Sequence, residues 1–292
     1  MIINNHNAPA SFLKFCGDDQ YSKGDADYSV TELIDEPRIV ALSKRYPEMI
    51  INDPMENPWM YISSIFHELM ESNSPDDEVA EQRLFAEVNG TVISGAMDVQ
   101  KHSDDGVIIG DYKMTSVMST KDTSKWEEQL NLYAYLVETC TDKKVVGLQI
   151  YAFLRDWKIT MSERVRDYPA TPGMTIDIKL WDREEREDFA KYRVFLHKKC
   201  EEMSDDDLPA CSHKGRWPTG TLYSVTNLDD KKISTFDRKR DAEKFVSGLD
   251  IDTQFNSFIG TTHKDYRRCK SYCHFNETCN IYKEFMNERK NR

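Results

Sequence analysis

Three side chains in the middle of the chain could share one piece of chemistry. Ser94-Gly-Ala-Met-Asp98 is followed by Ile109-Gly-Asp-Tyr-Lys113, which supplies two carboxylates and an amine. On a strand, alternate residues face the same way, so Asp111 and Lys113 point to one side. Asp98 belongs to the preceding strand. A turn centred on Asp104-Asp105 sets it opposite Asp111, and a turn centred on Asp105-Gly106 sets it opposite Lys113. Either register gathers all three on one face, with opposed Cβ atoms roughly 5 Å apart. Val107 and Ile109 hold that face further from the strand end, and charged groups cannot sit beside them without partners. A divalent cation resolves the conflict. Mg²⁺ or Mn²⁺ suits one or two carboxylates plus a substrate phosphate and lowers the pKa of a bound water. A neighbouring lysine can orient that water or stabilise developing negative charge. The competing reading is a surface hairpin whose Asp and Lys make ordinary ion pairs.

Two flanking features bear on the choice. His67 has Glu71 one turn later on the same helix face, but His67-Glu-Leu-Met-Glu71 lacks the second His of a zinc protease. Alone, His67 reads as a structural histidine. Gln129-Leu-Asn-Leu-Tyr133 places an amide and a phenol one turn apart, able to reach a phosphate or nucleobase. The plainer account is a helix packed through Leu130, Ala134 and Val137.

The elements that must position these groups follow from periodicity and turn signals. Short helices are expected at about 10–16 and 36–46, in a Pro-punctuated stretch over 1–58. Ile62, Ile65, Phe66, Leu69 and Met70 recur at helical spacing within Trp59 to Ser72. Strands are expected at about 83–89, 91–100 and 106–114, with Asn89-Gly90 and Asp105-Gly106 as hairpin signals. Ser124 and Glu127 form a capping box before a helix to about Thr139. Val145 to Trp157 reads as a strand, followed by Lys158 to Val165 and Met174 to Trp181, and a charged helix runs from about Asp182 to Met203. The acidic run Glu201 to Asp207, ending at Pro209, marks a solvated linker. Beyond it, a smaller unit carries a strand near Leu222 to Thr226 and a helix near Asp241 to Leu249. The expected division is 1–58, a segment packing on the core; 59–203, the core; and 208–292, a cysteine module with a basic tail.

The 292 residues include 14 Tyr, 13 Phe and 5 Trp, enough large apolar area for a core, so wholesale disorder is excluded. The longest apolar run, Val145 to Leu154, is too short to span a bilayer. Met1 to Ala10 lacks an apolar signal core, which points to an unexported, cytoplasmic protein. A net charge of −12 argues against a general nucleic-acid coat but leaves room for a local basic groove. From Thr261 to Arg292, eight Lys/Arg stand against four Asp/Glu, and this basic tail is expected near the path of a nucleic acid. Of seven cysteines, Cys269, Cys273 and Cys279 lie close together with Cys211 upstream, which in an unexported chain reads as a metal site before disulfides. Four thiolates suit either tetrahedral Zn²⁺ or a [4Fe–4S] cluster. Cys140 and Cys200 read as ordinary core or surface residues.

Taken together and in this order, His67, Gly95 to Asp98, Asp111 to Lys113, and Gln129 to Tyr133 resemble the RecB-like branch of the PD-(D/E)XK nucleases. The likeness covers about residues 60–160. It departs from the branch in having Asp111 where many relatives have Glu, and Ser63 where they often have Gly. The resemblance implies an α/β fold, a central mixed sheet flanked by helices, with a small C-terminal cysteine-rich metal-binding unit. It implies Mg²⁺ or Mn²⁺ held by His67, Asp98, Asp111 and the Tyr112 carbonyl, Lys113 as catalytic lysine, and Gln129 and Tyr133 as catalytic helpers facing DNA. The run Leu154 to Trp157 and the cysteine unit look like bacteriophage-encoded members, in which Arg155 could contact DNA phosphate; a strand-end salt bridge with Asp156 or a neighbour is the rival reading. Three close cysteines and a distant one resemble the iron–sulfur clasp of AddB-type and CRISPR-adaptation nucleases, although the spacing here is C-x3-C-x5-C rather than C-x2-C-x5-C. Cys211 is the expected fourth ligand and Cys16 its rival. The activity implied is an exonuclease of DNA recombination or replication, the kind of enzyme that serves a single-strand annealing or replication protein. An endonuclease or nickase of the same chemistry and a non-catalytic DNA-binding module are the alternatives.

Overall fold

The computed structural model describes residues 1–17, 22–229 and 231–290; Arg292, the last basic residue of the tail, lies outside them. The chain divides into two units, Met1–Leu208 and Pro209–Arg292. In the first unit, α1 (Ala10–Gly17), β1 (Tyr28–Ser29), α2 (Val30–Leu33) and α3 (Pro37–Arg45) lead to α4 (Pro58–Glu71). Then come β2 (Glu78–Val88), β3 (Thr91–Ser103), β4 (Gly106–Thr115), α5 (Ser124–Cys140), β5 (Val145–Leu154), α6 (Ile159–Ser162), β6 (Gly173–Ile178) and α7 (Arg183–Glu201).

The strands make one mixed sheet in the order β1-β3-β4-β5-β6, with β2 also on β3. Asn89 and Gly90 both adopt positive φ, 51° and 75°, in the two-residue turn that matches strand twist and joins β2 to β3. The next turn is Asp104-Asp105, because Ser103 pairs with Gly106; this selects the first of the two registers open from sequence. β4 and β5 run parallel, which requires a crossover, and α5 supplies it. β2 follows one edge of β3 from Thr91 to Lys101. On the other edge β1 pairs at Ile93 and Ser94, and β4 pairs from Ser103 back only to Val99. Gly95 to Asp98 therefore face a split that neither neighbour closes.

The core lies between the sheet and α5. Leu130, Leu132, Ala134, Leu136 and Val137 are all buried, because α5 is covered by the sheet on one side and by α2 and α7 elsewhere. The expected capping box does not form. Thr123 is the cap residue without a side-chain bond, and Glu127 instead accepts from Trp181 Nε1: a tertiary donor has displaced the local one. α4 lies on the other face, with Phe66 packed on Phe153 and Tyr112 at ring distances of 4.7 and 6.2 Å. Ile65 and Leu69, of the same apolar stripe, stay exposed. Lys158 to Val165 does not continue the strands. It turns into α6, while Trp157 Nε1 donates to the Pro169 carbonyl and ties the excursion down.

The acidic run is not a solvated linker. Glu201 accepts from Tyr28 Oη at 2.6 Å and Lys44 Nζ at 2.8 Å, and Asp205 takes Arg45 and Tyr46, so basic side chains of α3 hold the run against the first unit. Hydrogen bonds from Lys44, Tyr28 and Lys198, outweighing the cost of burial, hold Glu201 down at about 2.

The second unit contains β7 (Pro218–Asn227), β8 (Lys232–Phe236), α8 (Lys239–Ser247), α9 (Ile251–Phe255), β9 (Ser257–Tyr266), α10 (Arg267–Ser271) and α11 (Asn280–Lys290). Its antiparallel sheet, β8-β7-β9, is larger than the single strand expected there. No described helix is long and apolar enough to cross a membrane.

Candidate active site

Asp111 and Lys113 leave β4 toward α5, and Tyr112 between them leaves toward α4. The Asp111 residue is 1% exposed. Its Oδ1 accepts from Gln129 Nε2 at 3.2 Å, and its Oδ2 lies 2.5 Å from Lys113 Nζ, an ion-pair contact without the geometry of a directed hydrogen bond. Burial, reinforced by the charge of Asp98, pushes the Asp111 carboxyl upward, with Lys113 and His67 pulling the other way. Burial alone would lower the Lys113 ammonium; Asp111 and Asp98 outweigh it and hold it above its ordinary value. A carboxylate kept in this setting favours any cation brought to it.

Asp98 stands at the split in the sheet. The β3–β4 ladder stops at Val99↔Gly110, and the Tyr112 N–H donates to Asp98 Oδ2 at 2.7 Å instead of to a strand partner. The same oxygen is 3.2 Å from His67 Nδ1 on α4. Burial disfavours the His67 imidazolium, but the Asp98 hydrogen bond and the charges of Asp98 and Asp111 raise it overall. Asp98, Asp111, Lys113 and His67, drawn from β3, β4 and α4, thus act on one another at a single point. Tyr112 contributes its backbone here, while its ring belongs to the α4 contact.

Sequence reasoning missed one member. Glu81 of β2 lies across from Asp98, between the paired positions Ala80↔Val99 and Gln82↔Met97. Ligand atoms of His67, Glu81 and Asp98 all lie within 4.8 Å of one another. Burial first, then the charge of Asp98, pushes the Glu81 carboxyl up to about 7. Its only local mark is a positive φ of 48°, invisible in the sequence, and the strand was expected to begin after it.

Gln129 and Tyr133, expected to face DNA, are turned inward, 9% and 5% exposed. Gln129 Nε2 reaches both Asp111 Oδ1 and the Tyr133 Oη, the latter at 2.9 Å, so the pair buttresses the carboxylate. Gly95 allows this. A Cβ there would come within 2.8 Å of Tyr133 Cε1 and Leu136 Cδ1, so α5 could not seat its Tyr133 against β3. The Arg155 guanidinium lies 5.3 Å from the centre of the Trp59 ring, and its rival partner Asp156 accepts instead from the Val117 N–H at 2.8 Å.

None of the seven cysteines forms a disulfide. Cys16 is buried in α1 of the first unit. In the second unit, burial and then the charge of Cys273, followed by Cys279, push the Cys269 thiol up to about 11, so these three thiols sense one another. Among the described residues only His67, Glu81 and Asp98 bring three potential ligand atoms within 4.8 Å of one another, so no three of the thiols lie that close together. Cys211 lies six residues before Trp217, around which Arg268 and Tyr272 gather. Part of the tail's basic charge is neutralised within the tail or close to it: Lys270 and Arg289 pair with Asp265, and Lys264 with Asp237.

The donor set of the first unit suits Mg²⁺ or Mn²⁺: hard carboxylate oxygens, one imidazole, and in Asp111 Oδ2 a buried oxygen whose partner is the Lys113 ammonium. A family model described as the PD-(D/E)XK nuclease superfamily matches residues 49–216, which span every candidate residue of this site. No curated protein matches the chain. Among solved structures, "Crystal structure of SSO0001" is similar at 18% identity and a TM-score of 0.45, over 63% of this chain and 84% of that one.

Proposed function

Because the chain belongs to the PD-(D/E)XK nuclease superfamily, we propose that it is a Mg²⁺- or Mn²⁺-dependent deoxyribonuclease of the RecB-like, bacteriophage-encoded kind, an exonuclease serving DNA recombination or replication. The observation that carries this reading is the meeting of Asp98, Asp111, Lys113 and His67 at the split between β3 and β4. His67, Asp98 and Asp111, with the Tyr112 carbonyl, would hold the divalent ion. When bound, it supplies Lewis-acid stabilisation of the scissile phosphate and a water of lowered pKa.

The chain's own groups do the rest. Lys113 Nζ, an ammonium at neutral pH, would stabilise the negative charge that grows on the phosphate as water adds to phosphorus and the P–O bond to the leaving oxygen breaks. Gln129 fixes the Asp111 carboxylate through Oδ1, and Tyr133 fixes Gln129 in turn. The Tyr112 N–H holds Asp98 Oδ2, so both carboxylates are oriented before substrate arrives. Arg155, whose guanidinium lies 5.3 Å from the centre of the exposed Trp59 ring, would contact DNA phosphate.

In the second unit, Cys211, Cys269, Cys273 and Cys279 would bind a [4Fe–4S] cluster. The raised Cys269 thiol fits a site that ionises only as a cation arrives. A brown protein with visible absorbance and iron supports this part; a colourless sample with stoichiometric zinc would replace the cluster with Zn²⁺.

The nuclease reading is tested on linear DNA with Mg²⁺. Asp111→Ala and Lys113→Ala should abolish cleavage, and full activity in both variants would defeat the assignment. A covalently closed circle should survive the wild-type protein; its nicking would replace the exonuclease with an endonuclease.

A further inference from the structure

The pairing of β2 and β3 is interrupted at one position, and that interruption aims a carboxylate at the site. Glu81 and Asp98 face each other between two regular pairs, yet Glu81 adopts a left-handed φ of 48°. For a residue other than Gly this conformation costs about 1 kcal/mol or more, and neither a turn nor a chain reversal calls for it here. Its effect is to redirect the side chain, as strand irregularities beside active sites commonly do. The Glu81 carboxylate ends within 4.8 Å of ligand atoms on both His67 and Asp98. Among the described residues no hydrogen bond or ion pair holds it there. This half-buried carboxylate stands beside that of Asp98, with the His67 imidazole as the basic group next to both, while Lys113 is drawn to Asp111.

We propose that Glu81 is a ligand of the divalent cation, delivered by the irregularity in β2 and lying outside the Gly95–Asp98 and Asp111–Lys113 motifs. The class of ligand is set by the donors: two carboxylate groups and one imidazole suit Mg²⁺ or Mn²⁺ and lack the thiolates that a softer metal prefers. The family match spans all three of these residues, and the buried Asp111, whose Oδ2 is held by the Lys113 ammonium, acts through its charge on both Glu81 and His67. Glu81 would join His67 and Asp98 in holding the ion, leaving Lys113, paired with Asp111, to the phosphate.

This inference rests on the metal-dependent reading above, and the experiment separates the two. Mn²⁺ binding to the full chain is followed without DNA by electron paramagnetic resonance and calorimetry, in wild type, Glu81→Gln, Glu81→Gly and Asp111→Asn. Glycine accepts the positive φ, so Glu81→Gly removes the carboxylate while keeping the backbone shape; far-ultraviolet circular dichroism verifies the fold. Both Glu81 variants should lose about tenfold or more in Mn²⁺ affinity, at least the loss seen when groups that merely support ligands are removed. Wild-type affinity in both Glu81 variants, with binding lost in Asp111→Asn, would overturn the role of Glu81 and leave the nuclease reading standing. Absence of Mn²⁺ binding in wild type would overturn both.

Discussion

Gly95→Ala tests the link between packing and chemistry. The added methyl carbon would lie 2.8 Å from Tyr133 Cε1, 2.8 Å from Leu136 Cδ1 and 2.9 Å from Tyr133 Cδ1. Carbon atoms rest at about 3.5–4.0 Å, so α5 must retreat by close to 1 Å or the Tyr133 ring must rotate. Neither is easy, because both side chains are buried in the core. Overpacking of this kind costs about 1–3 kcal/mol, less a gain of about 0.5–1 kcal/mol because alanine suits a strand better than glycine. The net expectation is a loss of about 1–2 kcal/mol in urea unfolding. The loss of activity should be larger. Moving Tyr133 releases Gln129, and through it Asp111, and a displacement near 1 Å at reacting groups can cost about a hundredfold in rate. The cause is isolated by a double-mutant cycle: on a Tyr133→Ala background the added methyl should cost less, because its main obstacle is gone. A Gly95→Ala protein with an unchanged unfolding midpoint and an unchanged cleavage rate would refute the account of why this glycine precedes Asp98.

Three further outcomes are expected. His197 is buried against Tyr28, with its Nε2 3.1 Å from the Leu33 carbonyl, and burial, aided by Arg193, lowers it to about 4. The unfolded chain protonates a histidine near pH ~6.5, so it binds more protons than the native state between that pH and 4. Stability should therefore fall as pH drops through this window, by up to about 3 kcal/mol; a pH–stability curve of His197→Asn parallel to wild type would exclude it. Lys113→Ala removes the partner of a buried carboxylate and should cost about 3 kcal/mol in EDTA, with more of that loss recovered by Mn²⁺ than wild type gains; equal metal-induced shifts in melting temperature would contradict this. Charge reversal at Arg267 and Lys283, which hold no ion pair among the described residues, should weaken DNA binding and flatten its salt dependence; an unchanged salt slope would remove the tail from the DNA path.

Local patterns carried a large part of the molecule. Asn89-Gly90 announces a two-residue hairpin because few residue pairs accept consecutive positive φ, and Asp111 with Lys113 share a side because strands alternate. The order of His67, Asp98, Asp111, Lys113, Gln129 and Tyr133 was likewise legible, and the matched family spans all of them. Tertiary structure decided the rest. The β3–β4 register turned on which two residues made the turn, and only pairing with Gly106 settled it. Gln129 reads from sequence as a group for substrate; its inward turn depends on how closely α5 approaches β3 at Gly95. Glu127 lost its cap to Trp181, and the acidic run from Glu201 found Lys44 and Arg45, because long-range donors compete with local ones and sequence spacing cannot rank them. Glu81 had no signal at all. Its place beside Asp98 comes from one backbone angle in a strand pairing, a property of two segments together that neither encodes by its residue types.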